Sequence, residues 1–130
     1  MGQLLKKKHL IPQLIICSTA RRCQETMDLL IDACGFDGMI KQASDLYGTS
    51  TKEYLQTLRE IEKNIECVLL IGHNPTCEEF IIKLTGNLHR FPTAAIAQIA
   101  LPIDDWDDCK EKLQGNLIHL WLPKELPGST

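Results

Sequence analysis

Uninterrupted apolar runs alternate along this chain with stretches in which apolar residues recur every three or four positions. The runs Leu14–Cys17 and Cys67–Ile71 are apolar throughout, which predicts strands that are buried on both faces. A weaker strand is predicted at Met39–Gln42, and two more strands are predicted at Ala94–Leu101 and Leu117–Leu122. The pattern therefore predicts several short strands separated by helices.

Three amphipathic helices are predicted between these strands. Ser18 has the side chain of an N-cap for the first helix, and Gly35 ends that helix. The cluster Thr49–Thr51 begins the second helix, and Thr76 caps the third. The apolar positions at helical spacing are Cys23, Met27, Leu30, Ile31 and Cys34 in the first helix, Tyr54, Leu55, Leu58, Ile61 and Ile65 in the second, and Ile81 and Leu84 in the third.

Strand, turn and helix in repetition are typical of a layered α/β fold. No internal repeat or linker divides the chain, so residues 1–130 are expected to form one domain. In α/β folds, anions bind where strand C-termini meet helix N-termini, because free backbone N–H groups point there. Two loops occupy that position, Ser18–Arg22 and Gly72–Thr76, and they are where we expect the functional site.

Composition and charge exclude several classes of function. The chain has 14 basic and 17 acidic residues and a net charge of −3, whereas nucleic-acid binding usually requires a basic face. The one dense basic run, Lys6–His9, is expected to be a solvated helix end. No apolar run is long enough to span a bilayer, and no signal-peptide pattern precedes the first charges. We therefore expect a cytoplasmic protein with neither nucleic-acid nor membrane partners.

The cysteine and glycine patterns argue against metals, cofactors and other phosphate chemistries. Six cysteines are present, but no Cys-x-x-Cys occurs and the histidines have no zinc-like spacing with them. Reduced thiols and no metal or cofactor are expected. The spacing of Cys17 and Arg22 is one residue short of a thiol phosphatase loop, and no Gly-x4-Gly-Lys nucleotide loop is present.

Five segments, in order along the chain, resemble one family. Ser18, Arg22 and Thr26 are spaced like the Ser-x-x-x-Arg-x-x-x-Thr segment of the histidine phosphatase superfamily, and Val68–Pro75 resembles its strand followed by Gly-His-Asn-Pro. Three further segments are similar to the SixA-type phosphohistidine phosphatase branch: Asp45-Leu46-Tyr47-Gly48, Phe91-Pro92-Thr93-Ala94-Ala95 and Pro123-Lys124.

The resemblance implies a three-layer α/β/α sandwich of the phosphoglycerate mutase-like type and hydrolysis through a covalent phosphohistidine. In that family two arginines and a second histidine hold the phosphoryl oxygens, whose charge must be met by fixed positive groups. Carried over by motif, Arg22 matches the second arginine and His73 the second histidine. Ser18 and Asn74 are expected to shape their loops and support the phosphate. The implied partners are phosphate or a phosphorylated protein or small molecule.

The chain departs from the family at the nucleophile. The family's Arg-His-Gly motif ends its first strand, and no such motif occurs in residues 1–130. His9, His89 and His119 are in the wrong contexts to replace it. The domain is therefore expected to lack the first strand and most of the first helix, and to be inactive, because loss of a nucleophile typically costs several orders of magnitude in rate.

The missing first strand has one structural consequence, and two alternative functions stay open. In the family the first strand lies between the strands that match Val68–Ile71 and Ala94–Leu101, so both would present open edges prone to self-association. One alternative to a SixA-like phosphatase is a non-catalytic module that binds phosphate or a phosphoprotein. The other is a structural fragment that uses its sheet edges for pairing.

Overall fold

The computed structural model describes residues 12–47, 50–74, 76–88 and 96–121. The strands are β1 (Leu14–Ser18), β2 (Met39–Ala43), β3 (Val68–Ile71), β4 (Ile96–Ala100) and β5 (Asn116–Trp121), and the helices are α1 (Arg21–Cys34), α2 (Thr51–Arg59) and α3 (Thr76–Thr85). Short 3-10 helices cover Ser44–Tyr47 and Trp106–Asp108.

The strand β1 is the centre of a parallel sheet with the order β2-β1-β3. Its register aligns Leu14 with both Met39 and Val68. All five residues of β1 are buried, as expected for a strand with a strand on each edge and helices on each face. The prediction of a doubly buried strand at Leu14–Cys17 is confirmed.

The side chains of β1 alternate between two hydrophobic clusters, one on each face of the sheet. Ile15 and Cys17 pack with α1. Leu14 and Ile16 pack with residues of α2 and α3. This arrangement gives three layers, helix on sheet on helix, and confirms the predicted α/β/α architecture.

The strands β4 and β5 form a separate antiparallel pair. Within the described residues β3 pairs with β1 alone, and β4 pairs with β5 alone. All four residues of β3 are only partly buried, so the prediction of a strand buried on both faces at Cys67–Ile71 is wrong in degree. The physical reason is that one edge of β3 opens onto a cavity.

Three local predictions about helix ends need correction. Ser18 is the last residue of β1, and the N-cap of α1 is Ala20, whose methyl side chain cannot accept a capping hydrogen bond. Thr76 is the first residue within α3. The helix α2 ends at Arg59, so Ile61 and Ile65, although buried, belong to the loop that follows.

The remaining turn predictions are confirmed. Ser50 caps α2, its side chain accepting a hydrogen bond from the Lys52 N–H. Gly35 ends α1 in the left-handed conformation, with φ of 70°, which favours glycine. His119 is exposed on β5. The residues outside the described ranges are Met1–Ile11, Gly48, Thr49, Pro75, His89–Ala95 and Leu122–Thr130. The predictions for the basic run Lys6–His9 and for the segments Phe91–Ala95 and Pro123-Lys124 lie there.

Candidate functional site

A cavity of about 910 Å³ runs along β3 and reaches the C-terminal end of the parallel sheet. Arg22, His73 and Asn74 all line it. Arg22 is the second residue of α1, and His73 follows β3 after one glycine. The structure thus brings together two residues that are far apart in sequence, at the edge where α/β folds bind anions.

The imidazole of His73 is held by Ser18. The two side chains meet at 2.9 Å between Ser18 Oγ and His73 Nε2. The Ser18 hydroxyl is fully buried and accepts a hydrogen bond from the Ala20 N–H at 3.2 Å. Its own proton can therefore be donated to Nε2, and with that donation the proton of a neutral His73 ring lies on Nδ1. Ser18 thus orients the histidine instead of capping the helix.

The backbone of His73 is fixed by Tyr54. The Tyr54 hydroxyl accepts the His73 N–H at 3.1 Å, and the His73 carbonyl accepts the Cys77 N–H at 2.7 Å. Gly72 makes this approach possible, because a methyl group at that position would overlap the Tyr54 hydroxyl. Tyr54 is fully buried, and burial raises its pKa above the ordinary value, so the hydroxyl stays protonated.

The start of α1, which carries Arg22, is also hydrogen-bonded to the sheet. Gln24 donates to the Ser18 carbonyl at 2.8 Å and to Gln42 of β2 at 2.5 Å. These bonds tie the start of α1 to two strands of the sheet. The Arg22 side chain itself is exposed and lines the cavity, so its guanidinium is accessible to a ligand there.

A thiol lies beside the imidazole. Cys23 Sγ is 3.8 Å from His73 Nε2 and 3.5 Å from the Gly72 carbonyl oxygen. Burial raises the pKa of Cys23, although the Ser18 hydrogen bond and the Arg22 charge oppose this. Burial also raises the pKa of Cys77. Both thiols are neutral at pH 7, so no thiolate cancels the positive charge that Arg22 brings.

Sequence reasoning missed Tyr54, Cys23 and Gln24 as parts of the site. In the sequence Tyr54 and Cys23 are apolar positions of helical stripes, and nothing local distinguishes a tyrosine whose hydroxyl reaches a loop. Asn74, predicted to support the site, lies exposed in the turn after His73. No metal-binding cluster of His, Cys, Asp or Glu occurs among the described residues, and no described helix is long and apolar enough to cross a membrane.

No protein-family model matches the chain. An uncharacterised protein of Mycobacterium tuberculosis is 27% identical over 94 residues, which are 64% of this chain and 57% of that protein. An uncharacterised protein of Mycobacterium leprae is 25% identical over 93 residues, or 64% and 55% of the two chains. The chain therefore spans little more than half the length of these relatives.

Solved structures give a stronger likeness. A protein of Agrobacterium tumefaciens assigned as phosphohistidine phosphatase SixA superimposes with a TM-score of 0.77 at 26% identity, covering 94% of this chain and 75% of that one. The corresponding protein of Nakamurella multipartitia gives 0.79 at 22% identity, covering 93% and 76%. A protein histidine phosphatase SixA complexed with tungstate gives 0.75 at 20% identity, covering 95% and 76%. These likenesses show that the chain has the α/β fold of the solved SixA phosphohistidine phosphatases, the fold that its resemblance to the histidine phosphatase superfamily implies.

Proposed function

We propose that this chain derives from a SixA-like phosphohistidine phosphatase and binds a phosphoryl group through Arg22 and His73. The observation that carries the proposal is the shared cavity of these residues, where Ser18 and Tyr54 fix the ring and the backbone of His73. A fixed donor beside a cation is what the charged equatorial oxygens of a phosphoryl group require. Tungstate, the ligand in one solved SixA structure, mimics that group.

In the proposed complex Arg22 supplies the charge and His73 supplies a directed N–H. Arg22 is positive at all physiological pH values, and its planar guanidinium can donate hydrogen bonds to two oxygens at once. Ser18 has a buried hydroxyl at the base of the site and keeps His73 in one orientation. The ligand is a phosphate monoester or a phosphorylated protein, in a protein that works in the cytoplasm.

We further propose that residues 1–130 bind the phosphoryl group without hydrolysing it. The covalent route needs a histidine that attacks phosphorus, and the Arg-His-Gly motif that carries it in the family does not occur in these residues. His119 lies exposed on β5 and outside the cavity lining. A binding function is what the remaining residues support.

Anion titration tests the binding site. Inorganic phosphate or tungstate added to the folded chain is expected to shift the imidazole NMR signals of His73 in a saturable manner. Arg22→Ala should weaken binding by about ten-fold or more, because hydrogen bonds to charged groups contribute ~1.5–3 kcal/mol. Arg21→Ala is the matched control, since Arg21 is 92% exposed and pairs with Glu25. Equal effects of the two substitutions, or no response of His73, would contradict the site.

Turnover tests the absence of catalysis. No hydrolysis of p-nitrophenyl phosphate above that of buffer is expected from the purified chain. Activity that persists through purification and disappears in His73→Ala would overturn this expectation and make His73 the candidate nucleophile. Activity that His73→Ala leaves unchanged would indicate a contaminating enzyme.

A further inference from the structure

The Ser18 hydroxyl has two acceptors for its single proton. It accepts a hydrogen bond from the Ala20 N–H at 3.2 Å and lies 2.9 Å from His73 Nε2. It is also in hydrogen-bond contact with the thiol of Cys23. Ser18 is fully buried, so solvent does not complete its hydrogen bonds. At any moment the hydroxyl can donate to the imidazole or to the thiol, but not to both.

The thiol of Cys23 is oriented to accept this proton. Its Sγ donates to the Gly72 carbonyl oxygen at 3.5 Å and lies 3.8 Å from His73 Nε2. With the S–H directed at Gly72, the lone pairs of the sulfur remain for a donor. The side chain is buried, and burial raises the pKa of the thiol, so the sulfur stays neutral. It is a weak acceptor beside Nε2, of use when Nε2 cannot accept.

The charge of His73 decides which acceptor Ser18 uses. A neutral ring with its proton on Nδ1 leaves Nε2 as the acceptor of the Ser18 proton. A charged ring carries protons on both nitrogens, so Nε2 donates and Ser18 Oγ accepts. The hydroxyl proton must then turn away from the ring, and within the described part of the chain the Cys23 sulfur is the acceptor in contact. The change needs one proton from solvent and the rotation of one hydroxyl group.

Other titratable and charged groups lie around His73. They are Cys17 of β1, Arg22 and Cys23 of α1, Tyr54 of α2, and Cys77, Glu78 and Glu79 at the start of α3. Burial raises the pKa of the three thiols and of Tyr54, and arginine stays charged. Histidine is the side chain whose charge ordinarily changes between about pH 5 and 8. A variant of Cys23 leaves every other group of this set in place, so its effect on the titration of His73 comes from the thiol.

We propose that Cys23 is a positioning residue that accepts the Ser18 hydroxyl proton when His73 is charged, so that the site takes up a proton together with its anion. This inference rests on the proposed anion site. A bound dianion favours the charged ring, and affinity should therefore fall as the pH rises. Alanine at position 23 leaves the buried hydroxyl proton without an acceptor in the charged state alone, and thus disfavours that state.

An NMR titration of the His73 ring in the anion-free chain tests the acceptor. Cys23→Ala should move the midpoint down by about half a unit to one unit, whereas Cys23→Ser, which retains an acceptor, should stay near the parent chain. Cys34→Ala is the matched control, since Cys34 is buried in α1 outside the cavity lining. Should Cys23→Ala fail to fold, Cys23→Val fills the space without an acceptor and takes its place. An unmoved midpoint, no rescue by serine, or an equal shift in Cys34→Ala would each overturn the proposal.

Sulfate affinity as a function of pH tests the link to anion binding. Sulfate, unlike phosphate, stays a dianion across this range. In the parent chain its affinity should fall with rising pH; in Cys23→Ala the same curve should lie at lower pH with both plateaus kept, a loss of up to about ten-fold between them. A loss of equal size at every pH would indicate a merely structural role and overturn the proposal, as would a parent affinity that does not vary with pH. No sulfate binding by the parent chain would refute the anion site itself, and the anion-free titration would still decide the role of Cys23.

Discussion

His73 is held by two hydroxyl groups that come from different elements. Ser18 contacts its ring from β1, and Tyr54 accepts its backbone N–H from α2. Each contact acts on a separate degree of freedom, so the imidazole is oriented before any ligand arrives. In the proposed phosphate complex this preorganisation favours binding, because less ordering remains to be done on association.

Removal of one hydroxyl tests this role. Tyr54→Phe keeps the ring and its edge-to-face contact with Phe80, at 5.4 Å between centroids, but leaves the His73 N–H without its acceptor. We expect the free energy of unfolding to fall by about 1–3 kcal/mol and phosphate binding to weaken. Urea unfolding and the His73 titration measure the two effects. Phe80→Leu is the control: it should lower stability without moving the backbone amide signal of His73 as far. An unchanged amide signal in Tyr54→Phe would contradict the contact.

At the scale of elements, β1 organises the fold. It pairs with strands on both edges and supplies side chains to both hydrophobic clusters. A residue of β1 therefore touches more of the core than a residue of an edge strand such as β2, in which Met39 and Ile40 are exposed. Stability should be concentrated in β1.

Truncation of a β1 side chain is expected to be severely destabilising. Ile16 is fully buried. We expect Ile16→Ala to lower the free energy of unfolding by about 2–5 kcal/mol, because it loses buried apolar surface and leaves a cavity. Leu29→Ala is the matched control, since Leu29 is 73% exposed on α1 and should change stability by only about 0.5 kcal/mol. Chemical denaturation measures both variants. Similar losses in the two would show that the core lies elsewhere.

At the scale of the whole molecule, thiols are buried on both faces of the sheet. Cys17 lies in the cluster with α1 and Cys109 in the cluster with α2 and α3. All six cysteines are free. Burial raises the pKa of Cys17 from 9.0 to about 12 and that of Cys109 to about 11. The folded chain therefore binds protons that the unfolded chain releases at alkaline pH.

This difference predicts a loss of stability at alkaline pH. Below pH 9 the thiols are protonated in both states, so their contribution to the free energy of unfolding is fully present. As the pH rises from about 9 to about 12, the thiols of the unfolded state ionise first, and the unfolded state gains stability relative to the folded state. The thermal midpoint should therefore fall across that window. Cys17→Ala should show a shallower fall, and a slope identical to that of the parent chain would contradict the shift. Scanning calorimetry from pH 8 to 11 makes the comparison.

The sequence by itself determined the class of fold and the two loops in which the candidate site lies. Apolar runs and helical spacing located β1, β3 and three helices, because the period of burial follows directly from backbone geometry. The order of strand, loop and helix placed Arg22 and His73 at strand ends, and the family resemblance assigned their chemistry. That chemistry remains a proposal.

Tertiary structure alone decided the details that depend on distant partners. Ser18 looked like a helix cap because its local sequence offers one, but a histidine 55 positions away takes its hydroxyl. Tyr54 fits the apolar stripe of a helix and is therefore predicted as a core residue. The loop that its hydroxyl reaches is adjacent only in space. The partial exposure of β3 likewise depends on its neighbours in the sheet, because β3 pairs with β1 on one edge and borders the cavity on the other. Hydrophobic period is a local property, whereas hydrogen-bond partners and strand neighbours are set by the packing of the whole chain.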